Sequence, residues 1–268
     1  MSERATCRFS CQHCNTELEQ EGFVAIDASE AENLEMLLTG RINVEACPNC
    51  GASNLLPIPL FYHDGVKQLL VAYVPGAGQM GEEDLSEAIR IPYELVVTDV
   101  ARQLGIDFPE PDLAAFPRGE ENLHSPFAAL TQEQAAEILP EYLLRPTIVD
   151  GMEVVIAMVQ AIQEGMETQE VLDDMARLQL INAVIGAPDA ITRRKVLHRH
   201  EPYLDDELYN VIDTLREQMQ QEGQSELLER MNFVRGEVER YRAAKETRLK
   251  KESSRVKGKV TPKDEPTT

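Results

Sequence analysis

Two Cys-x-x-Cys pairs, Cys11–Cys14 and Cys47–Cys50, stand 32 residues apart in a chain of 268. Four thiols carried on paired turns, and drawn together by short strands, can offer a tetrahedron of sulfur to one zinc ion. The spacing is that of a zinc ribbon. Gly51, directly after the second pair, suits a knuckle turn, which needs a residue tolerant of positive φ. A redox reading fits less well, because a thioredoxin-like motif uses a single pair at a helix N-terminus in a βαβ setting. The fifth cysteine, Cys7, reads as a strand residue. His13 lies inside the first pair, where four thiolates leave it no coordination position. The sequence therefore predicts one structural zinc per chain on Cys11, Cys14, Cys47 and Cys50, and assigns no catalytic or other cofactor-binding residue.

The patterning around these pairs predicts an α+β chain. Thr6–Phe9 and Phe23–Ile26 read as strands, and Ile42–Ala46 leads into the second pair. Ser29-Glu-Ala-Glu32 has the form of a capping box, opening a short helix with Leu34, Leu37 and Leu38 on one face and Gly40 at its exit. Leu55–Tyr62 and Leu69–Val74 form a hairpin through Asp64-Gly65. Helices are expected over Glu82–Arg90 and Tyr93–Leu104, separated by Pro92, and Thr131–Leu139 can start another. Beyond residue 145 only helices are expected. Val155, Met158, Val159 and Ile162 line the first, and Val171, Met175, Leu178, Ile181 and Ile185 the second. Asp189 caps a short basic helix, and Asp205, Asp206 and Glu207 fill the first turn of the next. Leu227, Met231, Val234, Val238 and Tyr241 then give a long helix a coiled-coil-like seam. Pro109, Pro111, Pro117 and Pro126 mark the boundary. The expected organisation is a zinc-ribbon-containing domain of short antiparallel strands and helices over 1–118, a proline-containing linker over 119–145, an all-α bundle or repeat-like domain over 146–256 and a disordered tail over 257–268.

In order and spacing, Cys-x-x-Cys, a strand, the helix end Leu-Thr-Gly-Arg-Ile-Asn (38–43), Cys-Pro-Asn-Cys-Gly (47–51) and Pro-Leu-Phe-Tyr-His-Asp (59–64) resemble the bacterial CpXC domain, over about residues 7–115. The resemblance implies two metal-type knuckles and brings no established molecular function. Gln12 stands where the first knuckle of that domain usually carries Pro, a change that leaves ligation intact.

Charge narrows the partners. The chain carries a formal −21, unevenly spread. Residues 1–118 hold 7 basic and 19 acidic side chains, 119–240 hold 10 and 24, and 241–268 hold 9 and 4. Such a surface repels nucleic-acid phosphate and anionic lipid everywhere except at the tail. Met1-Ser2-Glu3-Arg4 leads into no apolar segment of a secretory signal, and Val154–Ile162 is too short to span a bilayer. The expected location is the cytoplasm. With no Trp and 5% aromatic residues, the cores rest on aliphatic side chains and Met.

Other motifs carry less. Gly76-Ala-Gly78-Gln-Met-Gly81 has the form of a dinucleotide loop with Asp99 beyond it, yet Glu82, Glu83 and Asp84 would repel a pyrophosphate, and no βαβ units follow. His63-Asp64 can pair as base and orienter or simply flank a turn. His198 and His200 diverge on a helix and cannot chelate together. The reading that results is a non-enzymatic zinc-binding interaction or scaffolding protein, with a protein partner on its helical domain. The alternatives are an enzyme with a site near His63 and Asp64, or a nucleic-acid-associated ribbon protein using the basic tail.

Overall fold

The computed structural model describes residues 2–106 and 137–257. The fold is mixed α+β. It divides into two compact units, Met1–Thr168 and Gln169–Thr268.

The first unit is built on a five-stranded sheet whose strands, in spatial order, are Glu3–Ser10, Glu17–Asp27, Leu60–Asp64, Leu69–Tyr73 and Thr147–Val149. Strand β1 (Glu3–Ser10) pairs antiparallel with β2 (Glu17–Asp27), and β5 (Leu60–Asp64) pairs antiparallel with β6 (Leu69–Tyr73), so the hairpin through Asp64-Gly65 forms, with its first strand opening at Leu60 and not at Leu55. Between them β2 and β5 run parallel, with Asp27 opposite His63. The chain from Asp27 to Leu60 is therefore a crossover. It carries helix α1 (Ala31–Leu38) and a separate antiparallel pair, β3 (Val44–Ala46) with β4 (Ser53–Leu55).

Side-chain burial explains this layering. Along the edge strand β1 Ala5 and Cys7 are buried and Phe9 packs partly buried beside them, as alternation predicts for a half-covered strand. Strands β5 and β6 are buried at every position, so both faces of the sheet centre are covered. Helix α2 (Glu82–Gln103) packs Val96, Val97, Val100 and Ala101 against Ala25, Phe61 and Ala72. Helix α4 (Met152–Gln163) buries Met152, Val155, Met158, Val159 and Ile162 and meets α1 and β6.

Several expectations require correction. The capping box does not form. Ser29 instead turns back to Asp27, donating its hydroxyl and its backbone N–H to Oδ1 at 2.5 and 2.9 Å, and the Glu30 side chain does not cap α1. Pro92 does not break a helix either: α2 runs through it. A proline inside a helix costs about 3 kcal/mol, but Ile91, Pro92 and Leu95 are all buried, and Ile91 and Leu95 pack with Ala5, Cys7 and Val24 of the sheet. Beyond residue 145 the chain is not purely helical. After a single helical turn, α3 (Glu141–Leu144), strand β7 (Thr147–Val149) joins the sheet parallel to β6. The three β-branched residues Thr-Ile-Val suit a strand but are too few to register as one in the sequence. As a result β7 and α4 belong to the first unit, and the helical unit opens near Gln169 instead of at 146. The expected linker, apart from its last residues, and the expected tail beyond Lys257 lie outside the described residues.

The second unit contains α5 (Thr168–Gly186), α6 (Ala190–Arg199), α7 (Asp206–Gln221) and α8 (Ser225–Lys257). Asp189 caps α6 by accepting from Ile191 N and Thr192 N, both at 2.8 Å, as the sequence predicts. Leu180, Ile181, Val184, Leu197, Leu208, Ile212, Met231, Val234 and Val238 share one core. The buried face of α5 is rotated from the expected one. Val171, Leu180, Ile181 and Val184 are buried, and so is Arg177, which binds Asp205 and Asp174 at 2.8 Å each. Met175, Leu178 and Ile185 remain only half-buried. Among the described residues no helix is long and apolar enough to cross a membrane.

Because each unit has its own core and every cysteine precedes Thr168, a fragment spanning Gln169–Thr268 should fold by itself and keep its helical circular dichroism in the presence of a strong chelator. A fragment that melts alone, or responds to chelator, would show that the two cores depend on each other.

Candidate metal centre

Both cysteine pairs sit at the tips of antiparallel strand pairs: Cys11–Cys14 between β1 and β2, Cys47–Cys50 between β3 and β4. The two turns are built alike. Cys11 N–H donates to Thr16 O and Asn15 N–H to Cys11 O, both at 2.9 Å. Cys47 N–H donates to Ala52 O and Gly51 N–H to Cys47 O, both at 2.8 Å. In each turn the residue four after the first cysteine takes left-handed backbone, Asn15 at φ +56° and Gly51 at φ +74°. Gly51 plays the part its position predicts. Asn15 is its counterpart, and asparagine is the side chain that tolerates this region best after glycine.

This folding brings the four sulfurs together. All four Sγ atoms lie within 4.8 Å of one another, with Cys11–Cys50 at 3.8 Å and Cys14–Cys47 at 3.7 Å. Such distances are far longer than a disulfide bond, and all five cysteines are free thiols. The cluster can hold a metal ion. Cys11 and Cys47 are buried, whereas Cys14 is half-buried and Cys50 exposed. Cys7 packs elsewhere, beside Val24, Leu56 and Ile58, and burial pushes its thiol pKa up. His13 contributes its backbone N–H, which donates to Cys11 Sγ at 3.4 Å, and its ring is not part of the cluster.

Polar groups around the sulfurs join the two turns. Cys14 Sγ lies 3.2 Å from Thr16 Oγ1, and Asn49 of the other turn donates to both Cys14 Sγ and Thr16 Oγ1, at 3.5 and 3.1 Å. The Thr16 contact, then that from Asn49, brings the Cys14 thiol down to about 5. Cys11 is lowered too, by the backbone N–H groups of Cys14 and His13. At Cys50 the N–H of Ala52 pulls the other way, but partial desolvation of this otherwise exposed residue's sulfur and the three neighbouring thiols prevail and push it up to about 12. Crowded thiols resist successive ionisation, and a bound cation relieves that repulsion. Gln12 N–H donates to Asn54 Oδ1 at 3.2 Å, a contact that a proline here, like Pro48 in the other turn, could not make.

Asn43, the last residue of the Leu-Thr-Gly-Arg-Ile-Asn segment, anchors the second turn to the sheet. It is buried at φ +52°. Its side chain accepts from Phe23 N at 2.7 Å and donates to Phe23 O at 2.8 Å, while its own carbonyl accepts from Leu56 N at 2.8 Å. Gly22 permits this approach: a Cβ there would stand 2.6 Å from the side chains of both Ile58 and Leu56.

The other sequence candidates resolve differently. His63 does not use Asp64. Its Nδ1 lies 2.7 Å from Asp27 Oδ2, and its Nε2 3.0 Å from the hydroxyl of Tyr142 on α3. Asp64 closes its own turn, accepting from Val66 N and Lys67 N at 3.0 and 2.9 Å. Burial would raise the Asp27 carboxyl, but the Ser29 and His63 hydrogen bonds outweigh it and hold the group below the usual range. Burial first, then the Asp27 and Asp64 charges, raises the Tyr142 phenol. Both ring nitrogens are committed to the fold, and the chain ties β2, β5 and α3 together. In the glycine-rich loop the N–H groups of Gly76 and Gly78 point at the Asp150 carboxylate, at 2.5 and 3.4 Å, so the chain's own anion lies where a phosphate would bind. Neither Tyr142 nor Asp150 is legible as a partner in the sequence, since each lies more than 70 residues away.

Two variants test this account. Asn43→Ala strands two buried backbone groups of Phe23 and should cost at least about 2 kcal/mol in urea unfolding. An unchanged midpoint would remove Asn43 from the architecture. Asp27, with its folded pKa depressed, stabilises the fold above its unfolded pKa and loses that contribution as pH falls through the folded value, below about pH 4. Asp27→Asn should therefore be less stable at pH 7 and show a flatter stability profile in acid. Parallel profiles would contradict the assignment.

The family model of the CpXC protein matches residues 9–173, more than half of the chain. The match includes all four clustered cysteines, extends beyond the 115 that the motifs alone suggest, and ends close to the limit of the first compact unit. No curated protein and no solved structure matches the chain. The chain belongs to the CpXC protein family.

Proposed function

We propose that Cys11, Cys14, Cys47 and Cys50 bind one structural zinc ion, and that the protein is a non-enzymatic, cytoplasmic interaction or scaffolding protein. The observation that carries the metal reading is the sulfur geometry. Zinc–sulfur bonds of about 2.3 Å in a tetrahedron place the sulfurs about 3.8 Å apart. Two of the separations, 3.8 and 3.7 Å, match that edge, and all four sulfurs lie within 4.8 Å of one another. Thiolates are soft donors that suit zinc, and four of them close the coordination sphere, which leaves no open position for a substrate. Free thiols in this number fit a reducing compartment.

The interaction reading follows from what the site does to its surroundings. The metal would fix the crossover turn to the β1–β2 turn, making this end of the first unit a rigid, acidic platform. The helical second unit supplies the partner surface. His63, with both ring nitrogens engaged by Asp27 and Tyr142, offers a substrate no free atom.

Elemental analysis of purified protein should give about one zinc per chain, falling sharply in Cys47→Ser and unchanged in Cys7→Ser. Structural zinc in small domains contributes roughly 10–16 kcal/mol of apparent binding energy at neutral pH, so chelation should also lower the melting temperature of the first unit. Full zinc content and an unaltered melt in Cys47→Ser would overturn the reading.

A further inference from the structure

Helix α8 outruns the core to which it belongs. Its seam steps through Leu227, Met231, Val234, Val238 and Tyr241, and Met231, Val234 and Val238 are buried. The same steps past Tyr241 reach Lys245, Arg248, Glu252 and Arg255. The register is unchanged, but charged residues replace the apolar ones. Burial stops at the same point: Ala243 to Arg248, and Lys250, are exposed. At about 1.5 Å per residue, the helix from 242 to 257 continues for roughly 24 Å.

This arm carries 7 basic and 2 acidic residues. Its first turn is used within the second unit, where Arg242 meets Asp206 at 3.5 Å and Lys245 pairs with Glu201. Five more basic residues, Arg248, Lys250, Lys251, Arg255 and Lys257, follow that turn, and Lys250 also lies 3.9 Å from Glu246 of the arm itself. The opposite charge is concentrated at the other end of the chain, where residues 1–168 hold 8 basic and 28 acidic side chains.

We propose that this basic helical arm docks on the acidic first unit of a second copy of the chain. With no apolar seam the arm cannot pair as a coiled coil, so recognition rests on charge and the partner is acidic. A phosphate polymer presents one sign only, and Glu246 and Glu252 interrupt the arm within its first three turns. An interfacial membrane helix needs an apolar face, and this segment offers little beyond Leu249, Val256 and two alanines. A second copy supplies the required surface and closes the arrangement. Each chain has one arm and one acidic unit, so a two-fold pairing makes the same contact twice. At physiological salt, charges are screened beyond about 8 Å, so the local arm-to-surface attraction outweighs the repulsion between two net-negative bodies. The proposal deepens the interaction reading by naming a partner and does not depend on zinc.

Sedimentation velocity on the zinc-replete full chain provides the test. It would compare wild type with a truncation after Tyr241 and with the combined Arg248→Gln, Lys250→Gln, Lys251→Gln and Arg255→Gln variant. Wild type should dimerise by mass action at about 50 mM salt and at least about tenfold more weakly at about 300 mM. Both variants should stay monomeric. In a mixture of isotopically labelled and unlabelled chains, carbodiimide should join arm lysines of one copy to carboxylates in 1–168 of the other. A monomer at every concentration in low salt, a dimer that survives truncation, or cross-links confined to single copies would overturn the proposal. So would a monomer that binds random-sequence RNA through the arm. A monomer that keeps its zinc equivalent removes the dimer and leaves the platform standing, whereas a dimer without zinc does the reverse.

Discussion

Strands β2 and β5 run parallel, and much of the first unit follows from that pairing. Antiparallel neighbours can be joined by a tight turn, but parallel ones require the chain to travel the length of the sheet and return. Here the return path holds α1 and the β3–β4 pair, whose tip carries Cys47 and Cys50. On its own, such a pair of three-residue strands is too small to hold together. The sulfur cluster joins it to the end of the long β1–β2 pair, so the ends of the crossover are set by backbone hydrogen bonds and its middle by side-chain chemistry. A metal ion held there would cross-link positions over 30 residues apart and so remove a large share of the loop's freedom.

The fastening has more than one layer. Asn43 holds the base of the second turn to β2, Asn54 reaches the backbone of Gln12, and Asn49 reaches Thr16 and Cys14. Three asparagines therefore position the turns, each using its amide to join segments distant in sequence. Outer groups of this kind orient the ligands of a metal site and tune their basicity. They also explain how two turns of different sequence adopt one backbone path. Asn15 and Gly51 solve the same left-handed position in different ways.

How much of this the sequence revealed depended on the range of the interaction. Periodicity and local chemistry located the cysteine turns, the Asp64-Gly65 hairpin, the Asp189 cap and the seam of α8, because each is decided by residues within a few positions. The partners of His63 and of the glycine-rich loop were hidden, because the sequence assigned Tyr142 to a linker and Asp150 to the helical domain. Pro92 misled for a related reason: its local preference is to end a helix, and burial against the sheet overrode it. At Arg177 a buried charge took a position where an apolar stripe would have been drawn, since Asp174 and Asp205 satisfy it.

The placement of β7 has a consequence for the order in which the chain is made. Strand β6 is buried along its whole length, and its outer edge is covered only when Thr147–Val149 lies beside it. Thr147 follows its partner Val71 by 76 positions. At a synthesis rate of about 5–20 residues per second, roughly 4–15 s pass between the appearance of the two, whereas a hairpin such as β5–β6 closes in microseconds. During that interval an emerging chain displays an apolar strand with an open edge, the feature most prone to pair with a neighbour. On a crowded polysome the neighbour is another nascent copy, so the vulnerable moment in this protein's life falls before its sheet is complete.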